Sequence, residues 1–413
     1  MNGILASMES SHTPGSLSVE DYRDRLMSTL SRASWPRPEH IIVEAALGRV
    51  LAADASARLA IPRASSSDAD GFGITYPDGP MPLAWTVAAD AVPGQAPIAT
   101  PGPGETVRVT GGAPLPAGVD TVIPLADAVA DGDTVLFTGG ILPGQHVRAA
   151  GRDVAVGDVL AAAGTKLDGR HIGALVAAGV DAAEIARKPQ VAIVTPTGDL
   201  AGSALLPGQA LAGDSDGPYV AAAVAAAGGG VSARTRVRDT PDALQKAFND
   251  AVRTADLILV TGGCGDDRDA MRTVLSGYGG EFATIAAHPC HAMGHARVIG
   301  VPVVVLPDDP LGVAVAFACF VRPMLAAMLG LADPPAVWGV VTRGWHSPVG
   351  QREFMPVAVT PRDDGTLAVA PVADGDPGSQ TVASLARADA FAVVGDEATD
   401  VREGDVVRLL AVL

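Results

Sequence analysis

Three short polar turns hold the residues of this chain best suited to chemistry. They are Thr195-Pro196-Thr197-Gly198-Asp199, Thr261-Gly262-Gly263-Cys264-Gly265-Asp266-Asp267-Arg268-Asp269 and Leu306-Pro307-Asp308-Asp309-Pro310. Each follows a run of Val, Ile or Leu, which places it at the carboxyl end of a strand. Glycines such as Gly198, Gly262 and Gly263 let backbone N–H groups approach an anion closely, and carboxylates such as Asp199 and Asp269 can hold a Mg²⁺ that bridges phosphates. One such turn alone is ordinary punctuation in a globular chain. Their succession on consecutive strands points to a phosphorylated ligand with a divalent cation. Asp239, before Thr240-Pro241, is a further acidic candidate, in a position that also suits a helix cap. His288, Cys290, His291 and His295 form a second cluster, with Cys264 as a further soft ligand. A zinc site needs about four such ligands in tetrahedral geometry. This spacing matches no structural zinc pattern, so the group reads first as polar loop residues or as donors to an anion.

The elements that must position these turns follow from the apolar pattern. From residue 191 onward, short Val/Ile/Leu strands at 191–194, 231–237, 257–260 and 303–306 alternate with helices near 219–227, 241–254, 270–276 and 311–329. This alternation predicts a parallel sheet covered by helices on both faces, with ligands bound outside the carboxyl ends of its strands. Thr240 with Pro241 suits the start of the second helix. Nearer the N-terminus, 18–30 reads as an amphipathic helix capped by Ser18, with Glu20 and Asp21 in its first turn. Residues 38–144 carry short apolar strands between Pro/Gly turns, an inserted β module. A helix at 170–178 then follows, and it is expected to share one domain with the first helix. After Pro334 short strands return. The resulting division is a polar tail at 1–16, a linker domain from 17–37 plus 145–188, the β module at 38–144, an α/β domain at 189–332 and a closing β domain at 333–413.

Composition agrees with several packed modules. A chain of 413 residues exceeds one ordinary core. With 48% hydrophobic and 18% charged residues, burial can offset chain entropy. The net charge of -17, with no local basic run, repels a phosphate backbone and argues against nucleic-acid binding. Three cysteines at irregular spacing suit a reducing compartment better than a disulfide framework, so a cytoplasmic setting is expected. No membrane span is expected either, because the first residues lack an apolar run and the most apolar helix should be interrupted at Arg322-Pro323.

The order of the three turns resembles that of the molybdopterin molybdenumtransferases, the MoeA and gephyrin E-domain family. There the turns read Ser-Thr-Gly-Asp-Glu-Leu, Ser-Gly-Gly-Val-Ser-x-Gly-x-x-Asp and Leu-Pro-Gly-Asn-Pro. Outside the sheet, Asp68-Ala69-Asp70-Gly71-Phe72-Gly73 resembles the family's Ala-Met-Asp-Gly-Tyr-Ala. Thr110-Gly111-Gly112-Ala113-Pro114 resembles its Thr-Gly-Ala-Pro, and Arg148-Ala149-Ala150-Gly151-Arg152-Asp153 its Arg-x-x-Gly-Glu-Asp. Gly350-Gln351-Arg352-Glu353-Phe354 and the segment from Gly378-Ser379 to Ala388 are similar to its last-domain signatures. The likeness runs from about Ser18 to Leu413.

The resemblance implies a multidomain, elongated α/β plus β fold and a homodimer, with the site between the α/β domain of one subunit and the β module of the other. It implies insertion of molybdate into adenylyl-molybdopterin with release of AMP and use of Mg²⁺. Asp70, Asp153, Asp239 and Asp269 match acidic positions the family uses, with Asp269 and Asp239 as metal candidates. Arg148 and Arg352 match its arginines, Pro307 and Pro310 its third turn, and Thr110 lies beside a functional threonine position. Thr197, Gly198, Asp199, Gly262, Gly263 and Ser379 fall in its ligand-binding motifs.

The chain also departs from the pattern. Leu200 stands where the family has glutamate, and His288-Pro289-Cys290-His291-Ala292 where it has Lys-Pro-Gly-Lys-Pro, so His288, Pro289 and His291 occupy the anion-binding turn. Asp308-Asp309 replaces Gly-Asn. Like charges at about 4–6 Å cost on the order of a few kcal/mol at an effective dielectric of 20, so an oxyanion needs an intervening cation there. The alternative reading is a dimeric scaffold of the gephyrin type that binds partner proteins.

Overall fold

The computed structural model describes residues 15–30, 35–96, 100–197, 214–264, 270–373 and 381–412. The chain divides into two compact units, one made of 1–38 with 186–413 and the other of 39–185.

The first unit is built on a six-stranded sheet. Gln190–Thr197 pairs in parallel with Gly230–Arg238 on one side and Leu257–Thr261 on the other, and Leu257–Thr261 pairs in parallel with Val301–Leu306. The sequence pattern predicts an all-parallel sheet; instead Ala292–Val298 and Glu281–Thr284 extend it antiparallel. The connection at Ile299-Gly300 is too short for a parallel crossover, and positive φ at both residues lets the chain reverse as a hairpin. Alternate residues face opposite sides. Val191 and Ile193 enter one core with Leu257, Leu259, Val304 and Leu306, whereas Ala192 and Val194 enter a second with Leu244, Phe248, Ile258 and Val260. Burial on both faces explains why these strands read as continuous apolar runs.

The N-terminal helix Val19–Thr29 begins at Ser18, whose side chain accepts the Asp21 N–H at 3.0 Å. It does not join the helix Gly169–Ala177 in a linker domain, as its position in the sequence suggests. Val19, Tyr22 and Leu26 enter the first sheet core, while Leu175 packs with Val43, Leu51 and Ile185 in the second unit. Both helices have an apolar face, and the apolar pattern does not say which core receives it. The long apolar helix is likewise uninterrupted at Arg322-Pro323. It runs Pro310–Leu329, with a π segment at Phe317–Val321 just before Pro323. The wider π turn makes room for the proline ring and for the carbonyl of the preceding turn that proline, lacking an N–H, leaves without its helical donor. Among the described residues it is the one helix long and apolar enough to cross a membrane, and 78% of its most apolar 18-residue stretch is buried in the core.

The C-terminal strands of the first unit close on themselves. Arg352–Pro361 pairs with both Leu367–Pro371 and Ala390–Val394, completing a ring through Val337–Val341 and Val406–Ala411. Phe354 and Phe391 belong to the same core as the α/β sheet.

In the second unit, six strands take the order Thr121–Pro124, Gly71–Ile74, Glu105–Val109, Trp85–Ala91, Thr134–Phe137, Ala128–Asp131. The sequence pattern starts this β module at residue 38, but Val43, Ala46, Leu51 and Ala55 pack with Leu167, Leu175 and Ile185 in a separate cluster.

Candidate active site

At the carboxyl edge of the sheet the described parts of the three turns, 195–197, 261–264 and 306–310, come together. Thr195 and Thr261, on adjacent parallel strands, are buried, and the Thr261 hydroxyl donates to Thr195 Oγ1 at 3.0 Å. The Thr197 hydroxyl donates to the Val237 carbonyl at 2.9 Å, and the Asp239 N–H donates to the Thr197 carbonyl at 3.1 Å. Asp239 is thereby fixed beside the first turn. Thr240 opens the next helix without a side-chain cap bond, and Pro241 supplies the first turn. Gly198, Asp199, Leu200, Asp269 and Ser379 lie outside the described residues.

The second turn is shaped by Gly262 and Gly263, at φ +83° and +92°. The Gly262 N–H donates to the Leu306 carbonyl at 3.2 Å, and the Gly263 N–H donates to Asp308 Oδ1 at 2.9 Å. A Cβ on Gly262 would stand 2.9 Å from the same oxygen. An N–H suited to an anionic ligand is therefore already held by the chain's own carboxylate. Asp309, in the turn that Pro307 and Pro310 bound, instead caps the long helix, accepting the Gly312 N–H at 2.6 Å.

Two more carboxylates, overlooked in the sequence, join this edge. Asp214 accepts the Gly217 N–H at 2.9 Å, close to Thr195. Burial raises the Asp216 carboxyl above the usual carboxylate range; the Ser215 hydroxyl opposes that shift, and the charges of Asp214, Asp309 and Asp308 add to it. The signal for them was an acidic residue opening the helix Asp216–Ala226, but a long Gly/Ala/Leu stretch separates it from the first turn.

The His/Cys cluster disperses. Cys290 is fully buried in the apolar core, and burial pushes its thiol well above the usual range. His295 stacks edge-on against Tyr22 at 5.7 Å, with its pKa lowered by burial despite Glu281 nearby. His291 is exposed, and Ala287–His288 pairs with Arg352–Pro361 of the C-terminal ring, with Pro289 next in cis. Among the described residues no three His, Cys, Asp or Glu side chains are grouped to hold a metal. Arg352 is an ion-pair partner of Glu20 on the N-terminal helix. Burial raises the Glu20 carboxyl, but the Arg352 hydrogen bond and charge outweigh it and hold the group below its usual range.

In the second unit, motifs about 40 to 80 residues apart converge. Asp70 Oδ1 accepts the Gly111 N–H at 2.7 Å, beside Thr110. The Ser66–Ser67 and Val147–Arg148 pair lies alongside, where Asp68 meets His146 Nδ1 at 2.8 Å and Arg148 is bonded to Asp153. Asp70, Thr110, Arg148 and Asp153 are all exposed. The sequence reading missed His146, whose φ of 54° turns the chain at the start of this strand.

Comparison with known proteins is consistent along the whole chain. Family models match at residues 17–179 (MoeA N-terminal region, domain I and II), 200–327 (probable molybdopterin binding domain) and 339–412 (MoeA C-terminal region, domain IV). Molybdopterin molybdenumtransferase 2 of Mycobacterium tuberculosis (strain CDC 1551 / Oshkosh) is 29% identical over 95% of this chain and 98% of its own length. The molybdopterin molybdenumtransferase of Haemophilus influenzae is 25% identical over 95% and 98%. A crystal structure of the molybdopterin biosynthesis MoeA protein from Pyrococcus horikosii superposes with a TM-score of 0.81 at 24% identity, covering 96% of this chain and 99% of that one. The ordered turns, the closed C-terminal ring and these full-length matches establish that the chain belongs to the MoeA family.

Proposed function

We propose that this chain is a molybdopterin molybdenumtransferase of molybdenum cofactor biosynthesis, inserting molybdate into adenylyl-molybdopterin and releasing AMP. The observation that carries this reading is the gathering of three polar turns at one sheet edge, in the family's order, in a chain that matches curated transferases over 95% of its length. The gephyrin-like scaffold reading has no comparable support, since these relatives are named for the transferase activity.

Mg²⁺ belongs to the proposal. Magnesium is commonly bound through one or two carboxylates plus substrate phosphates, so a ready-made triad is not required. Asp308, Asp309 and Asp216 supply hard oxygen donors near the Gly262-Gly263 turn, with Asp239 and Asp269 as the candidates from the family motif. The bound cation would supply positive charge where the acidic edge meets phosphate and molybdate. A homodimer and a cytoplasmic location complete the proposal, the latter in keeping with three cysteines, all buried, at irregular spacing in the sequence. The test is complementation of a molybdenumtransferase-deficient strain. Restored molybdoenzyme activity is expected, and a stably expressed chain that restores none would count against the reading.

A further inference from the structure

The opposite edge of the same sheet carries the reverse charge. Where Gln190–Thr197, Leu257–Thr261 and Val301–Leu306 begin, a cavity of about 710 Å³ is lined by Arg37, Arg187, Arg253 and Arg297, together with Trp35 and Asp256. Asp256 is the acidic residue among them. Its carboxylate is 9% exposed and accepts from Arg37 at 2.8 Å, Arg187 at 2.7 Å and the Gln190 N–H at 2.8 Å. Four guanidiniums less one carboxylate leave three net positive charges in one cavity, in a chain whose net charge is -17.

Two of these guanidiniums are held in place. Arg37 lies 4.5 Å and Arg187 5.8 Å from the Trp35 ring centre, and both grip Asp256. The other two are exposed. Arg297 spends one donor on the Gly300 carbonyl at 3.0 Å, and a guanidinium has five N–H donors in all. Like charges brought together this way repel unless an anion joins them. The planar guanidinium fork matches phosphate oxygens two at a time. The volume lies in the range of small-molecule sites, roughly 300–1,000 Å³. A strand rises about 3.3 Å per residue, so the eight-residue strand Gln190–Thr197 sets this cavity roughly 25 Å from the acidic carboxyl edge.

We propose that this arginine cavity is a second ligand site, binding a small phosphorylated anion of the diphosphate or nucleoside-phosphate class. The proposal is independent of the transferase reading, because no residue of the carboxyl edge takes part.

The test is calorimetric titration of inorganic pyrophosphate into the full chain at low salt, with EDTA present to silence any magnesium-dependent site. Arg253→Ala/Arg297→Ala removes two exposed guanidiniums while leaving the Asp256 cluster intact. The parent is expected to bind, the double variant to lose at least tenfold in affinity, and the ligand-free thermal midpoint to stay the same. Arg253→Lys/Arg297→Lys should fall between them, because charge is kept and the fork is lost. No pyrophosphate binding by the parent, or equal affinity in the parent and the alanine variant, would overturn the proposal.

Discussion

Asp308 is where residue chemistry and proposed function meet most directly. Its carboxylate takes the Gly263 N–H and adds a negative charge beside Asp309 and Asp216. If this contact opposes oxyanion binding, Asp308→Gly frees the donor and removes the charge, while Asp308→Asn removes the charge alone. Molybdate affinity should rise in the order parent, Asn, Gly, with tenfold for each 1.4 kcal/mol or so recovered. Equal affinities by calorimetry would show that this turn is not the anion site. Glu353 offers a pH test of a different kind. It is fully buried, accepts from Trp345 Nε1 at 2.9 Å, and burial raises its carboxyl above the usual range. A raised folded pKa gives stability that is complete below the unfolded value and lost as pH rises through the folded one. Glu353→Gln keeps an acceptor for Trp345 and should therefore gain stability over the parent between pH 5 and 8. A difference in thermal midpoint that does not change over that range would contradict it. The acidic positions Asp70, Asp153 and Asp239 could be picked out from the sequence, since no local structural role accounted for the first two. Asp214 and Asp216 could not, because their nearness to Asp308 exists only across the sheet.

Among the elements, the strands were readable because burial on both faces leaves a run of Val, Ile and Leu that little else produces. The strand Ala292–Val298 was not, because Gly294, His295 and Arg297 break its apolar run. The π segment before Pro323 also has no simple sequence signal. The destination of the N-terminal helix was the largest miss, and it leads to a prediction. Leu26 is fully buried against the α/β core, so Leu26→Ala should cost about 3 kcal/mol of unfolding free energy, as large-to-small core changes do. Denaturant unfolding at neutral pH measures it. A loss below about 0.5 kcal/mol, the level of a surface change, would mean the helix is not part of that core.

For the whole molecule, the family pattern accounts for the order of the modules, and the two compact units show how the chain is partitioned between them. The proposed homodimer should sediment at about twice the 41.5 kDa chain mass at micromolar concentration. Sedimentation at the single-chain mass would rule it out. The transferase activity is tested most directly by incubating the purified chain with adenylyl-molybdopterin and Mg²⁺ and following AMP release as molybdate is added. The account predicts release that depends on molybdate and on the cation. A folded chain that releases no AMP with both present, or the same amount without molybdate, would contradict it.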